Sequence, residues 1–166
     1  GEGSEGGPSA GGEGGNITMT PPASARFTIS QYFPTANNVN SIRVFSTGGN
    51  GNDNNTNNKS DGGDGGDGGD ITYTGSSASA NIQTTLSGPT GPGTISAIAL
   101  LSQGGNGGRG NSSATFTPKG GDGGAGGTVT ADVGPVTAGS TGNPLTAESV
   151  FGIIAESVGG RGPDDY

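Results

Sequence analysis

Four aspartates stand at strict three-residue intervals, Asp61, Asp64, Asp67 and Asp70, the last three inside the run GGDGGDGGD at 62–70. Carboxylates in a row are hard oxygen donors, and calcium takes six to eight oxygens at roughly 2.3–2.6 Å. On an extended strand with three residues per turn, every third side chain lies on one edge, about 9 Å from the next. One such strand therefore does not chelate calcium alone. The four aspartates are weak calcium candidates, and calcium is the one cofactor the sequence leaves open. The reading favoured here is a solvated acidic edge that keeps the surface soluble.

Residues 65–73 partly match the calcium-binding nonapeptide G-G-x-G-x-D-x-U-x through Gly65, Gly66, Gly68 and Asp70. Thr72 occupies the place of the large apolar residue, and no tandem copy follows. Catalytic constellations are thinner still. The chain has no His and no Cys, which removes the commonest general base, the commonest metal ligand and every thiolate. Ser and Thr are abundant, but nothing is there to activate them, and no G-x-S-x-G elbow occurs. Glu148 and Glu156 share a face of a strand but would lie roughly 26 Å apart, too far for a glycosidase pair. The GxGxxG-like strings follow from glycine abundance, with no helix after them to hold a phosphate. Asn16, Asn54, Asn58 and Asn111 head formal glycosylation sequons, expected by chance in a chain so rich in Asn, Ser and Thr. The expectation is no enzyme, no catalytic residue and no bound cofactor. The bulky aromatics Tyr32, Phe33, Phe45, Tyr73 and Phe116 are expected to fill a core otherwise short of large residues.

The elements that would position these side chains recur along the chain. Openings GGNITMT (14–20), GGDITYT (68–74) and GGTVTAD (126–132) alternate with closings SIRVFSTGGNG (41–51), AIALLSQGGNG (97–107) and GIIAESVGGRG (152–162). Ile17, Ile71 and Val129 are 54 and 58 residues apart; Ile42, Ile98 and Ile153 are 56 and 55 apart. A near-constant period of about 55 residues marks a repeat architecture. The repeats are read at about 11–51, 62–107 and 120–162, in one array over 1–166, with glycine-rich segments at 1–15, 48–69, 104–127 and 159–162. The array opens inside one glycine run and nearly closes inside another, as a piece of a longer array would, although GPDDY (162–166) leaves the pattern as a true terminus would.

Strands are expected at 26–33, 70–74, 81–86 and 128–133, from β-branched and aromatic content between Gly-Pro and Asn-Pro turns. LTAESVFGIIAES (145–157) has some helical spacing, but Gly152 and the β-branched Val150, Ile153 and Ile154 favour a strand. The fold class is therefore all-β: a β-solenoid-like repeat in which Ile17, Ile71 and Val129 stack in one ladder and Ile42, Ile98 and Ile153 in another. Sandwich-like modules are the competing arrangement. The period-three glycine runs predict polyglycine-II strands alongside, since two glycines per turn let backbones approach closely while the third residue points out. A flexible linker is the alternative for such runs.

Composition fits an unusual core. Glycine (39 residues) and proline (10) together make up about 30% of the chain and Leu, Ile, Val and Phe about 15%, values that signal low complexity. The charged fraction is only 12%, so the other half of the disorder signature is weak. Six Lys+Arg against 14 Asp+Glu, net charge −8, argue against nucleic acid and anionic membranes. No apolar run approaches the 18 residues of a membrane helix.

The closing segments AIALLSQGGNGGRG (97–110) and GIIAESVGGRG (152–162) resemble the repeat G-I-x-A-x-S-x-G-G-x-G-G of large bacterial autotransporter passenger domains. GGDGGAGGTVTAD (120–132) is similar to the segment that follows it in that family. The likeness covers most of 62–162 and is weak over 14–51, where SIRVFST replaces the small-residue pattern. Mycobacterial glycine-rich repeat proteins and T-even-like phage tail-tip adhesins share the GGxGG runs without G-I-x-A-x-S. The resemblance implies a secreted or surface-displayed β-helical passenger with a role in adhesion. The expected function is an extracellular structural or adhesive repeat protein at the cell surface, able to self-associate into a filament or to stack on neighbouring repeats. A host or cell-surface receptor is the other expected partner. The alternative is a ligand-binding module, either a phage-tip-like receptor binder or an ice-binding face. The outward Asp, Asn and Arg replace the regular Thr rows that ice binding would favour.

Overall fold

The computed structural model describes residues 9–22, 26–29, 38–54, 61–75, 81–85, 94–111, 118–134, 136–139 and 149–163. Among them the secondary structure is all-β: nine strands and no helix, so no helix that could cross a membrane. The strands are β1 (Ile17–Met19), β2 (Arg26–Ile29), β3 (Asn38–Thr47), β4 (Ile71–Gly75), β5 (Asn81–Thr85), β6 (Thr94–Gln103), β7 (Val129–Val133), β8 (Val136–Gly139) and β9 (Ser149–Val158). Each repeat supplies three strands.

Every pairing is parallel and joins equivalent strands of successive repeats. Three sheets result, in the orders β1-β4-β7, β2-β5-β8 and β3-β6-β9. Both expected ladders are present: Ile17 pairs with Ile71 and Ile71 with Val129, while Ile42 pairs with Ile98 and Ile98 with Ile153. A third ladder, Phe27–Ile82–Val136, runs through the β2-β5-β8 sheet. The segment 145–157, expected as a strand despite some helical spacing, is the strand β9 from Ser149 onward. Strand β8 was not foreseen.

The core lies where inward side chains of the β1-β4-β7 and β3-β6-β9 sheets meet, with Val136 of the β2-β5-β8 sheet against them. Ile42, Val44, Ile71, Tyr73, Ala97, Ile98 and Leu100 are buried, with Ile17, Met19, Val129, Val133, Val136 and Ile153 packed against them. The middle repeat is the most buried because it alone has a neighbour on both sides. In β3 the period-two alternation is clean, with Ile42, Val44 and Ser46 inside and Arg43, Phe45 and Thr47 outside. The alternation breaks one residue earlier. Ser96, Ala97 and Ile98 are all buried, and the register of the β3-β6-β9 sheet is interrupted at Ser41, Ala97 and Gly152. Small residues stand at each interruption.

The expected core role of the aromatics holds for Tyr73, which is fully buried with no hydrogen-bond partner for its hydroxyl among the described residues. It does not hold for Phe45, which is 49% exposed and carries the Arg43 guanidinium over its ring at 5.7 Å. Tyr32, Phe33 and Phe116 lie outside the described residues.

Candidate functional site

The glycine segments carry the distinctive chemistry of this chain. Six are described, in two rows. The first row holds residues 9–16, 61–70 and 118–128; the second holds 48–54, 104–111 and 159–163. Within a row, neighbours run parallel in steps of three: Gly11, Gly14 and Ile17 donate their amides to the carbonyls of Asp64, Asp67 and Asp70 at 2.8, 2.7 and 2.8 Å. Gly62, Gly65 and Gly68 donate in the same way to Lys119, Asp122 and Ala125. Between rows, neighbours run antiparallel: Gly63 and Gly66 donate to Asn52 and Gly49, Gly105 and Gly108 to Gly66 and Gly63, and Gly121 and Gly124 to Gly108 and Gly105.

Each triplet thus has a division of labour. The first glycine bonds along its row and the second bonds across to the other row. The third residue turns outward, and burial follows suit: Asp61, Asp64, Asp67 and Asp70 are exposed, while Gly62, Gly63, Gly66, Gly68 and Gly69 are buried. Only glycine permits this spacing. A Cβ on Gly66 would overlap the carbonyl oxygen of Gly12, and one on Gly105 would overlap that of Gly49.

The outward residue also has an amide that needs a partner, and here the aspartates find their role. Asp61, Asp64, Asp67 and Asp70 accept, through Oδ1, the backbone N–H of Lys119, Asp122, Ala125 and Thr128 in the next repeat, at 2.7, 2.8, 2.7 and 2.7 Å. Asn16 does the same for Asp70 at 2.8 Å, Asn50 for Asn106 at 2.9 Å, Asp53 for Arg109 at 2.7 Å and Asn106 for Arg161 at 2.9 Å. Asn and Asp are interchangeable in this position, so what it requires is a carbonyl-type oxygen two bonds from Cβ, not a charge. In Gly104-Gly105-Asn106 all three amides are bonded, to Val158 O, Gly66 O and Asn50 Oδ1.

A serine ladder joins the sheets to the glycine rows. Ser46, Ser102 and Ser157 are in register on β3, β6 and β9. The Ser46 hydroxyl donates to Gly15 O at 2.8 Å and accepts from Gly69 N at 3.1 Å. The Ser102 hydroxyl donates to Gly69 O at 2.8 Å and accepts from Gly127 N at 2.8 Å. Both serines are buried, at 4% and 0% exposure, so these bonds satisfy their hydroxyls and the buried Gly69 backbone where water does not reach. Sequence reading missed this ladder. Its signal was the equal spacing of a serine two residues ahead of each closing Gly-Gly.

The calcium candidates Asp61, Asp64, Asp67 and Asp70 are thus brought beside the following repeat, Asp64 next to Asp122, with one oxygen each engaged by an amide. Among the described residues no group of three or more His, Cys, Asp or Glu surrounds a common point. Glu156 lies exposed on the outer face of β9, whereas Glu148 is outside the described residues. Asn16 serves as an amide acceptor and Asn54 is buried; Asn58 is outside the described residues. Surface hollows lie along the described residues at two places. One, of about 470 Å³, runs along Asn50, Gly51, Asn52, Asp53, Asn106 and Gly107; the other, of about 280 Å³, lies on the outer face of the β3-β6-β9 sheet between Arg43 and Glu156. Compared with known protein families, with curated proteins and with solved structures, the chain matches none.

Proposed function

We propose that this chain is an extracellular structural and adhesive repeat protein, a short β-solenoid braced along one side by a two-row bundle of polyglycine-II strands. Its role is mechanical and not catalytic: the backbone supplies rigidity and the outward third residues supply the surface. The observation that carries this reading is the translational pairing of repeats. Every described strand and every described glycine segment bonds to its own equivalent in an adjacent repeat. Such an array is quasi-one-dimensional, and its stability is a sum over repeat interfaces. Its large buried hydrogen-bond network gives stiffness from a composition that has few bulky apolar residues to bury. The exposed Asp, Asn and Arg rows present polar groups at fixed spacing, the arrangement expected of a surface that binds weakly at many points.

Small-angle scattering and electron microscopy of the purified chain test the architecture, and binding to immobilised glycans and whole cells tests the role. The expected result is a stiff particle of constant width with multivalent, low-affinity adhesion. Shapeless expanded particles would refute the architecture, and a rigid particle that adheres to nothing would refute the adhesive role.

A further inference from the structure

The two ends of the array carry opposite halves of the inter-repeat hydrogen-bond pattern. At the third-repeat edge the amides of Gly123, Gly126, Gly159 and Gly162 have no backbone acceptor among the described residues; their equivalents Gly65, Gly68, Gly104 and Gly107 each bond to the following repeat. At the first-repeat edge the carbonyls of Ala10, Glu13 and Asn50 have no backbone donor among the described residues; the equivalent carbonyls of Asp64, Asp67 and Asn106 each accept from the preceding repeat. One edge offers donors and the other offers acceptors.

Glycine usage gives a second, independent sign. Inside the array, a Cβ on Gly69, Gly104 or Gly107 would overlap backbone of an adjoining segment. Their equivalents at the edges are Gly15, Gly159 and Gly162. A Cβ on Gly15 would meet nothing within 4 Å, and one on Gly159 or Gly162 would come no closer than 3.6 Å to Gly124 O or Gly121 O. Among the described residues nothing requires glycine at these three positions. A backbone packed against each edge, at the spacing found inside, would require it.

Resting on the structural-repeat reading above, we propose that the occupant is a second copy of this chain, its first repeat stacked on the third repeat of its neighbour. The register follows from the internal one. Gly123, Gly126 and Gly162 donate to the carbonyls of Ala10, Glu13 and Asn50 of the second copy, and Gly12 of that copy donates back to Gly160 O. The Asp122 Oδ1 accepts the Ala10 amide as Asp64 accepts that of Asp122. Val129 stacks beside Ile17 and Ile153 beside Ile42, so the partly buried ends of the apolar ladders are covered. Like edges are mismatched, because the row carbonyls of one first repeat would face those of another, and the row amides of one third repeat those of another. The contact is therefore heterologous and does not close, and it propagates as a polar filament.

The test uses the whole chain with Gly15→Val, with Gly162→Val, and unchanged, followed by sedimentation velocity and electron microscopy over a concentration series. The unchanged chain is expected to lengthen with concentration. Each variant alone is expected to stay single with an almost unchanged melting temperature, because the added Cβ meets nothing within 4 Å at position 15 and only Gly121 O, at an ordinary contact distance of 3.6 Å, at position 162. An equimolar mixture of the two variants, one intact edge each, is expected to form pairs and nothing longer. A well-folded unchanged chain that sediments as one species at every concentration overturns the stacking and leaves the solenoid reading intact. Variants that lengthen as the unchanged chain does, or a mixture that fails to pair, also overturn it. An unchanged chain without ordered strands by circular dichroism overturns both readings.

Discussion

At the scale of single residues, the outward aspartates act through an oxygen and not through a charge. Asp64→Asn keeps an acceptor at the same place and is expected to change stability by less than about 0.5 kcal/mol. Asp64→Ala removes the acceptor of the Asp122 amide and is expected to cost about 0.5–1 kcal/mol, since the exposed amide turns to water. Chemical denaturation of the two variants measures the difference. If the row were held by calcium, Asn would be nearly as damaging as Ala, and a chelator would lower the melting temperature. Ser102 sits deeper. Ser102→Ala strands the buried Gly69 carbonyl and the half-buried Gly127 amide together, and a loss of about 1–3 kcal/mol is expected by the same measurement. Tyr73 is the opposite case. Its hydroxyl is buried without a partner, and burial raises its pKa above the ordinary value near 10. A raised pKa means the folded state holds its proton longer than the unfolded state. Stability from this group is therefore unchanged below about pH 10 and falls as pH rises beyond it. Tyr73→Phe is expected to remove that alkaline loss and to be neutral or stabilising at pH 7.

At the scale of elements, the sequence displayed the ladders more clearly than what fastens them. Ile17, Ile71 and Val129 could be matched because β-branched residues follow each glycine run at near-constant spacing, and they pair as expected. The first repeat looked degenerate, with SIRVFST in place of the small-residue pattern, yet β3 pairs with β6 at nine positions. What it keeps is inward parity at Ile42, Val44 and Ser46, which is all that parallel stacking needs. Strand β8 escaped notice because it is four residues long and follows directly on Gly134-Pro135. The Asx acceptors and the serine ladder were hidden for a different reason. Polar side chains beside glycine read as solvent-facing turn chemistry, and their partners lie 54–58 residues away for the Asx acceptors and 23–33 for the serines, beyond any local pattern. The glycine segments themselves make a sharp prediction. Gly66→Ala would push a methyl onto the Gly12 carbonyl and is expected to cost about 3 kcal/mol, while Gly15→Ala is expected to leave the melting temperature of the isolated chain unchanged.

At the scale of the whole molecule, stability resides in repetition. The middle repeat is covered on both sides and holds most of the buried core, whereas the outer repeats leave Ile17, Val129 and Ile153 half-covered. Removing residues of the middle repeat is therefore expected to unfold the chain, as one-dimensional arrays lose two interfaces when an inner unit is lost. The outer faces shift in character along the array. The second repeat carries Asp61, Asp64, Asp67 and Asp70 on its first row, while the third carries Lys119, Asp122, Ala125 and Thr128 in the equivalent places. Three of those four lack the Asx oxygen, so a further repeat stacked there would be held by backbone bonds more than by side chains.

The glycine triplets form an ordered bundle held by hydrogen bonds along and between its rows. Amide hydrogen exchange of the middle repeat, read residue by residue by NMR, tests it most directly. Gly105, Gly108 and Asn106 are expected to exchange at least about a thousandfold more slowly than an open chain, because their amides are bonded within a cooperative core. Exchange of these amides at open-chain rates, with the strands β4 and β6 still protected, would contradict the account and leave the glycine runs as linkers.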